Sequence, residues 1–172
     1  MWREIARRLI EEIGREERPS VVVLCIGNEE RGDDGLGPCI AKKIKDLNGK
    51  GPVKVIDGGT VPENYTGVIR KLRPTHVIIV DAVNFGGRPG DIIMSLEPRF
   101  SEVSISTHHP SLLMLTKYIE RSVGSKVILL GAQPKALDLG SKMTQEVLMA
   151  SDVIIKALRS ALKKLQKVEE KV

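Results

Sequence analysis

The segment Gly27-Asn28-Glu29-Glu30-Arg31-Gly32-Asp33-Asp34-Gly35-Leu36-Gly37 sets four carboxylates against a single arginine. It is glycine-rich but matches neither the G-x-G-x-x-G fingerprint nor the P-loop, and its acids would repel the phosphates that a helix N-terminus attracts. A cation is the better guest for such a loop. Asp33 or Asp34 is also placed to cap a helix beginning near Leu36, a role that needs only a carboxylate oxygen beside the first backbone N–H groups. Asp81 follows Ile78, Ile79 and Val80. Its carboxylate leaves a buried apolar run, where an ionised group needs a cation, an arginine or several N–H donors around it. Asp57 holds the equivalent place in VIDGG (55–59), where Gly58, Gly59 and Thr60 point to a tight turn. Of the three histidines, His76 lies at the far end of its apolar run from the acidic loop and reads as structural or solvent-facing. His108 and His109 are adjacent, and in extended chain they point to opposite sides, so at most one of the two enters a shared site. Two carboxylates and an imidazole with open positions suit a divalent transition metal such as nickel, zinc or iron, and the thiolates of a structural zinc site are missing.

Nucleophile schemes account for less. There is no G-x-S-x-G elbow. Ser106, His108 and Asp81 can be written as a triad, but the first two stand only two residues apart in one loop. Cys25 lies inside an apolar run, where it behaves as a small hydrophobe, and Cys39 falls in a helical stretch with no base beside it.

These residues need a scaffold that brings distant segments to one edge. VVVLCIG (21–27), VKVIDGG (53–59), THVIIVDAV (75–83) and KVILLGAQ (126–133) are continuous apolar runs that stop at glycine or polar residues. That is the pattern of strands buried on both faces of a parallel sheet. Helical spacing occupies 36–47, 62–72, 111–119 and the long stretch 143–168. DIIMSL (91–96) follows a connection too short for a parallel crossover, which needs roughly a dozen residues, so it is expected to run antiparallel to a neighbour. The alternation predicts a three-layer α/β/α fold with a five-stranded, mostly parallel mixed sheet. Ligands gather at the carboxyl ends of such strands. Those ends carry the 27–37 loop, Asp57, Asp81, the 106–109 segment and Gly131-Ala132-Gln133-Pro134. Residues 2–13 add a helix with Trp2, Ile5, Leu9 and Ile13 on one stripe, closed by Gly14 and Pro19. The expectation is a single domain over 1–172: a helical extension (1–19), a core (20–160) and the basic end of the last helix (161–172).

The 172-residue length suits one domain, and 41% hydrophobic with 28% charged residues excludes a disordered or collagen-like chain. Two cysteines make no disulfide framework. The first twenty residues, MWREIARRLIEEIGREERPS, are too charged for a signal peptide, and no apolar run approaches the ~20 residues of a membrane span. No membrane insertion and a cytoplasmic location are therefore expected. The net charge of +5 is local: Lys156, Arg159, Lys163, Lys164, Lys167 and Lys171 stand against Glu169 and Glu170 in the last helix. A solvated helix face explains that run, and without aromatic partners for bases no nucleic-acid partner is expected.

IGNEERGDDGLG (26–37), VIDGGTVPE (55–63), VIIVDAV (77–83), STHH (106–109), LLGAQP (129–134) and MTQEV (143–147) together resemble the hydrogenase maturation protease family. These endopeptidases process the large subunit of nickel–iron hydrogenases. The resemblance covers roughly residues 20–160 and implies a phosphorylase/hydrolase-like fold. It also implies an aspartic-type endopeptidase that removes the C-terminal extension of the hydrogenase large-subunit precursor. Matched residue by residue, the family's nickel contacts fall on Asp34, Asp81 and His108, with nickel supplied by the precursor. Asp34 and Asp81 are then the candidates for acid–base work, while Gly27, Asn28, Asp33, Asp57, Gly58, Gly59 and Thr60 shape the site or touch substrate. The first nineteen residues lie outside the shared motifs and are either a packing element or a partner surface. The same ligands would equally serve a nickel-carrying or nickel-sensing module without peptidase activity.

Overall fold

Uninterrupted apolar runs become strands here because both of their faces are covered by helices. The computed structural model describes residues 1–49, 51–96, 106–107, 112–169 and 171, with 106, 107 and 169 described by their backbone alone. In chain order the elements are α1 (Trp2–Ile13), β1 (Val21–Ile26), α2 (Leu36–Ile44), β2 (Val53–Gly59), α3 (Thr66–Leu72), β3 (His76–Asn84), β4 (Ile92–Leu96), β5 (Ser106–Thr107), α4 (Leu112–Tyr118), β6 (Lys126–Ala132) and α5 (Gln145–Glu169). Short 3-10 turns at Lys45–Leu47 and Pro62–Tyr65 complete the expected helices 36–47 and 62–72. After α4 the coil widens into a π turn, Ile119–Val123, which Gly124 ends in the left-handed region at φ 82°.

The sheet order is β2-β1-β3-β6-β4. β1 pairs with β2 and β3, and β3 with β6, all in parallel. β4 runs antiparallel to β6, with Ile92 opposite Ala132 and Leu96 opposite Ile128. The short connection ahead of β4 foretold that direction. The sheet also contains a sixth strand, the two-residue β5, antiparallel to the end of β3 with Thr107 opposite Val83 and Ser106 opposite Asn84. Two residues leave no apolar pattern to read, which is why only five strands are expected from the sequence.

Alternate side chains of each strand enter opposite cores. Val21, Val23 and Cys25 of β1 join the core shared with α1, α2 and α5. Val22, Leu24 and Ile26 join the one shared with α3 and α4. The N-terminal helix is a packing element: Leu9 and Ile13 are fully buried, and the helix lies along α5. Among the described residues no helix is long and apolar enough to cross a membrane.

Candidate active site

The chain leaves β1 through α2 on one face of the sheet and later reaches α4 on the other face after β3. β1 and β3 are neighbours, so their carboxyl ends flank a topological switch point, where open α/β sheets hold their ligands. Asp34 sits in the 3-10 turn Gly32–Gly35 just beyond β1 and is 4% exposed, and Asp81 lies on β3 at 0%. The turn approaches β3 to within 8 Å between Cα atoms. Two sequence-distant carboxylates are thus buried near the carboxyl ends of neighbouring strands.

Glycines make this approach possible. Gly27 has φ 149°, and a Cβ on it would lie 1.9 Å from the Asp34 carbonyl oxygen. A Cβ on Gly37 would fall 2.1 Å from the Ile26 carbonyl oxygen, so the start of α2 packs directly on the end of β1. Between the two glycines, the Asn28 N–H donates to the Asp34 carbonyl at 3.1 Å and to its Oδ2 at 3.0 Å. The loop is closed on itself, and one carboxylate oxygen of Asp34 is thereby oriented.

Asp33 has a different task from its neighbour. Fully buried, it accepts from the Lys135 and Ala136 N–H groups at 2.8 and 2.9 Å through Oδ2, and from the Thr144 N–H at 2.7 Å through Oδ1. The Thr144 hydroxyl reaches both oxygens, at 2.9 and 3.0 Å. Neither aspartate caps α2, whose N-cap residue is Gly35. Of the loop's exposed acids, Glu29 pairs with Lys42, which holds that amine above its usual range.

Around Asp81 the packing is equally tight. It stands opposite Gly131 on β6, and a Cβ on Gly131 would meet the Asp81 carbonyl oxygen at 2.6 Å. Two residues further along β3, Val83 pairs with Thr107 of β5, and the chain then continues into His108 and His109. Both histidines lie outside the described residues. Among the described residues, no group of three His, Cys, Asp or Glu side chains is placed to hold a metal ion. Asp57 is exposed and accepts from the Gly59 N–H at 3.2 Å, but Asp57, Gly58 and Gly59 stay within β2, where the pairing with β1 skips Gly58, so the glycines make a bulge in the strand and not the expected turn. Gly58 comes within 3.1 Å of the Cys25 carbonyl at its would-be Cβ, and Thr60 is exposed. His76 is structural and fully buried, with Nδ1 2.9 Å from Thr75 Oγ1, so solvent does not reach it. Burial pushes the Cys25 thiol far up, aided by the nearby Asp57 charge, so it is no thiolate nucleophile.

Gly37, Gly131 and Gln133 shape the site, and although all three fall within segments noted from the sequence, no role is assigned to any of them there. Their place in the GLG and LLGAQP segments is the only sign of them, and nothing in those segments says what Gln133 would bond. A surface hollow of about 1190 Å³ between α1 and α5 opens by Pro19 and Pro52 at the opposite end of the sheet and includes none of these residues.

Comparison with known proteins agrees with this fold. The chain is 39% identical over 138 residues to the hydrogenase 3 maturation protease of Escherichia coli (strain K12), covering 80% of this chain and 87% of that protein. It superposes on the crystal structure of the nickel–iron hydrogenase maturation protease HycI from Thermococcus kodakarensis KOD1 with a TM-score of 0.79 and 29% identity, over 90% of this chain and 99% of that one. The solution structure of an endopeptidase HycI from Escherichia coli gives a TM-score of 0.69 at 35% identity, over 87% and 91% of the two chains. Residues 38–161 match the family model described as hydrogenase maturation protease, and the chain belongs to that family.

Proposed function

We propose that the protein cuts the C-terminal extension from a hydrogenase large-subunit precursor that arrives with its nickel already inserted. The observation that carries this reading is the burial of Asp34 and Asp81, 4% and 0% exposed, near the carboxyl ends of the neighbouring strands β1 and β3. β5 pairs with the end of β3, and His108 follows it in sequence. The donor chemistry fits the metal: two carboxylates and an imidazole suit nickel and leave coordination positions for the precursor's own ligands. Nickel is then part of the substrate, and engaging it tells the enzyme that metal insertion is complete.

With nickel held by Asp34, Asp81 and His108, the peptide bond beyond the precursor's last metal-binding motif lies beside the two carboxylates. One aspartate takes a proton from water as the water oxygen bonds to the scissile carbonyl carbon. The C–N bond then breaks, and the proton passes to the departing amine. The Asn28 N–H steadies Asp34 Oδ2 throughout. This is aspartic-type hydrolysis.

The test is processing of nickel-loaded precursor by purified variants, read as the shortened large subunit. Asp34→Ala, Asp81→Ala and His108→Ala are each expected to abolish processing with the fold retained, and His109→Ala to process normally. Wild-type rates in any of the first three would remove that residue from the scheme. Tight nickel binding with no cleavage by the wild type would mark a carrier instead.

A further inference from the structure

We infer that residues 133–144 form a bracket fixing the loop that carries Asp34 relative to the loop that follows β3, the strand holding Asp81, with Asp33 and Gln133 as its positioning residues. The inference rests on the functional reading above. At one end, Gln133 Oε1 accepts from the Phe85 and Gly87 N–H groups at 2.9 and 3.2 Å, and Nε2 donates to Asn84 Oδ1 at 3.1 Å. Its backbone donates to the Asp91 carbonyl at 2.8 Å and accepts from the Gly90 N–H at 2.9 Å. One glutamine therefore sets the whole path from the end of β3 to the start of β4.

At the other end, Asp33 gathers the Lys135, Ala136 and Thr144 N–H groups and the Thr144 hydroxyl. Backbone bonds run alongside: Asp33 N–H to the Ala136 carbonyl at 2.9 Å, Gly32 N–H to Ser141 at 3.1 Å and Gly140 N–H to Glu30 at 2.7 Å. A Cβ on Gly32 would come within 2.4 Å of Ser141 Oγ, so the two loops are in direct contact.

The chemistry of Asp33 explains why an acid precedes Asp34. All of its partners are donors, so both oxygens must accept. An asparagine would turn its NH₂ against an N–H group and leave both unsatisfied. Because those donors occupy Asp33, it does not compete with Asp34 for a cation. Groups that orient metal-contacting carboxylates are typically worth about 10–100-fold in activity when removed.

Steady-state processing of nickel-loaded precursor tests the bracket through Asp33→Asn, Gln133→Leu and Gln133→Glu, with Asp34→Ala as reference. Asp33→Asn and Gln133→Leu should lower kcat about 10–100-fold with KM near wild type. In Asp33→Asn, amide hydrogen exchange at Lys135, Ala136 and Thr144 should accelerate. Gln133→Glu keeps the acceptor for Phe85 and Gly87 and should recover most of kcat. If Asp33→Asn does not fold, the Gln133 pair carries the test alone. Wild-type kcat in folded Asp33→Asn or Gln133→Leu overturns the bracket, as does a raised KM with kcat intact, or Gln133→Glu as impaired as Gln133→Leu. Full activity in Asp34→Ala would instead defeat the functional reading itself, so the two failures are distinguishable.

Discussion

Replacing Gly27 with alanine should damage the site more than the fold. The new Cβ would start 1.9 Å from the Asp34 carbonyl oxygen, against ordinary contact from 3.4 Å, so that carbonyl must retreat by about 1.5 Å. Pro38 Cδ, at 3.2 Å, blocks an easy escape in its direction. The Asn28 N–H bonds to Asp34, now 3.0 and 3.1 Å, cannot survive a shift of that size. Backbone strain at φ 149° adds about 1–3 kcal/mol, and each lost bond about 1 kcal/mol. The total is roughly 3–5 kcal/mol, which at about 2–4 °C per kcal/mol lowers Tm by about 6–20 °C in a chain of this length. Displacing a reacting group by about 1 Å can cost about 100-fold in rate, so processing should fall at least that far. The assay pairs calorimetry with processing of nickel-loaded precursor at a temperature where both proteins are folded. Gly124→Ala is the control: its φ is 82°, but nothing lies within 4 Å of its would-be Cβ, so it should lose about 1–2 kcal/mol of stability and keep its rate. Wild-type processing by folded Gly27→Ala would refute the idea that this contact sets the position of Asp34.

Two further outcomes follow from the packing. Burial, reinforced by Lys126 and opposed in part by Glu12 and Glu16, holds the His76 pKa below 6.5, so the unfolded chain takes up the proton first. Stability should therefore fall as pH drops through 6.5 and be unaffected by this group above it. Urea denaturation of the wild type and His76→Gln between about pH 7.5 and 5 should give diverging curves, and parallel curves would contradict the assignment. Leu9→Ala, which empties a fully buried position between α1 and α5, should cost about 2–5 kcal/mol in the same assay. A loss well under 1 kcal/mol would mean that α1 is not part of the core.

The parts of this molecule legible in its sequence are those governed by local pattern. VVVLCI is buried along its whole length, and its apolar continuity showed as much, because a strand covered on both faces has no polar side to display. The direction of β4 followed from chain length alone. Asp81 was visible as an acid closing such a run and Asp34 as one of the acids in the loop after the first strand, and the fold buries both. Contacts between remote segments were not legible. Asp33 and Asp34 are adjacent and identical, and only the 102 to 111 residues separating Asp33 from its partners explain why their environments differ. Gln133 likewise looks like any polar residue after a strand until the loop 84–91 is folded against it. His76 was assigned to the correct sheet end, but its complete burial and the charges acting on it, from Glu12, Glu16 and Lys126, arise only once other segments are folded around it.

The central claim is that the buried aspartate pair acts on a precursor already carrying nickel. Intact-mass spectrometry of the large-subunit precursor, nickel-loaded and metal-free in parallel, tests it most directly. The prediction is a mass loss equal to the C-terminal extension in the nickel-loaded sample alone, absent when Asp81→Ala replaces the wild type. Equal cleavage of the metal-free precursor, or no cleavage of the loaded one, would contradict it.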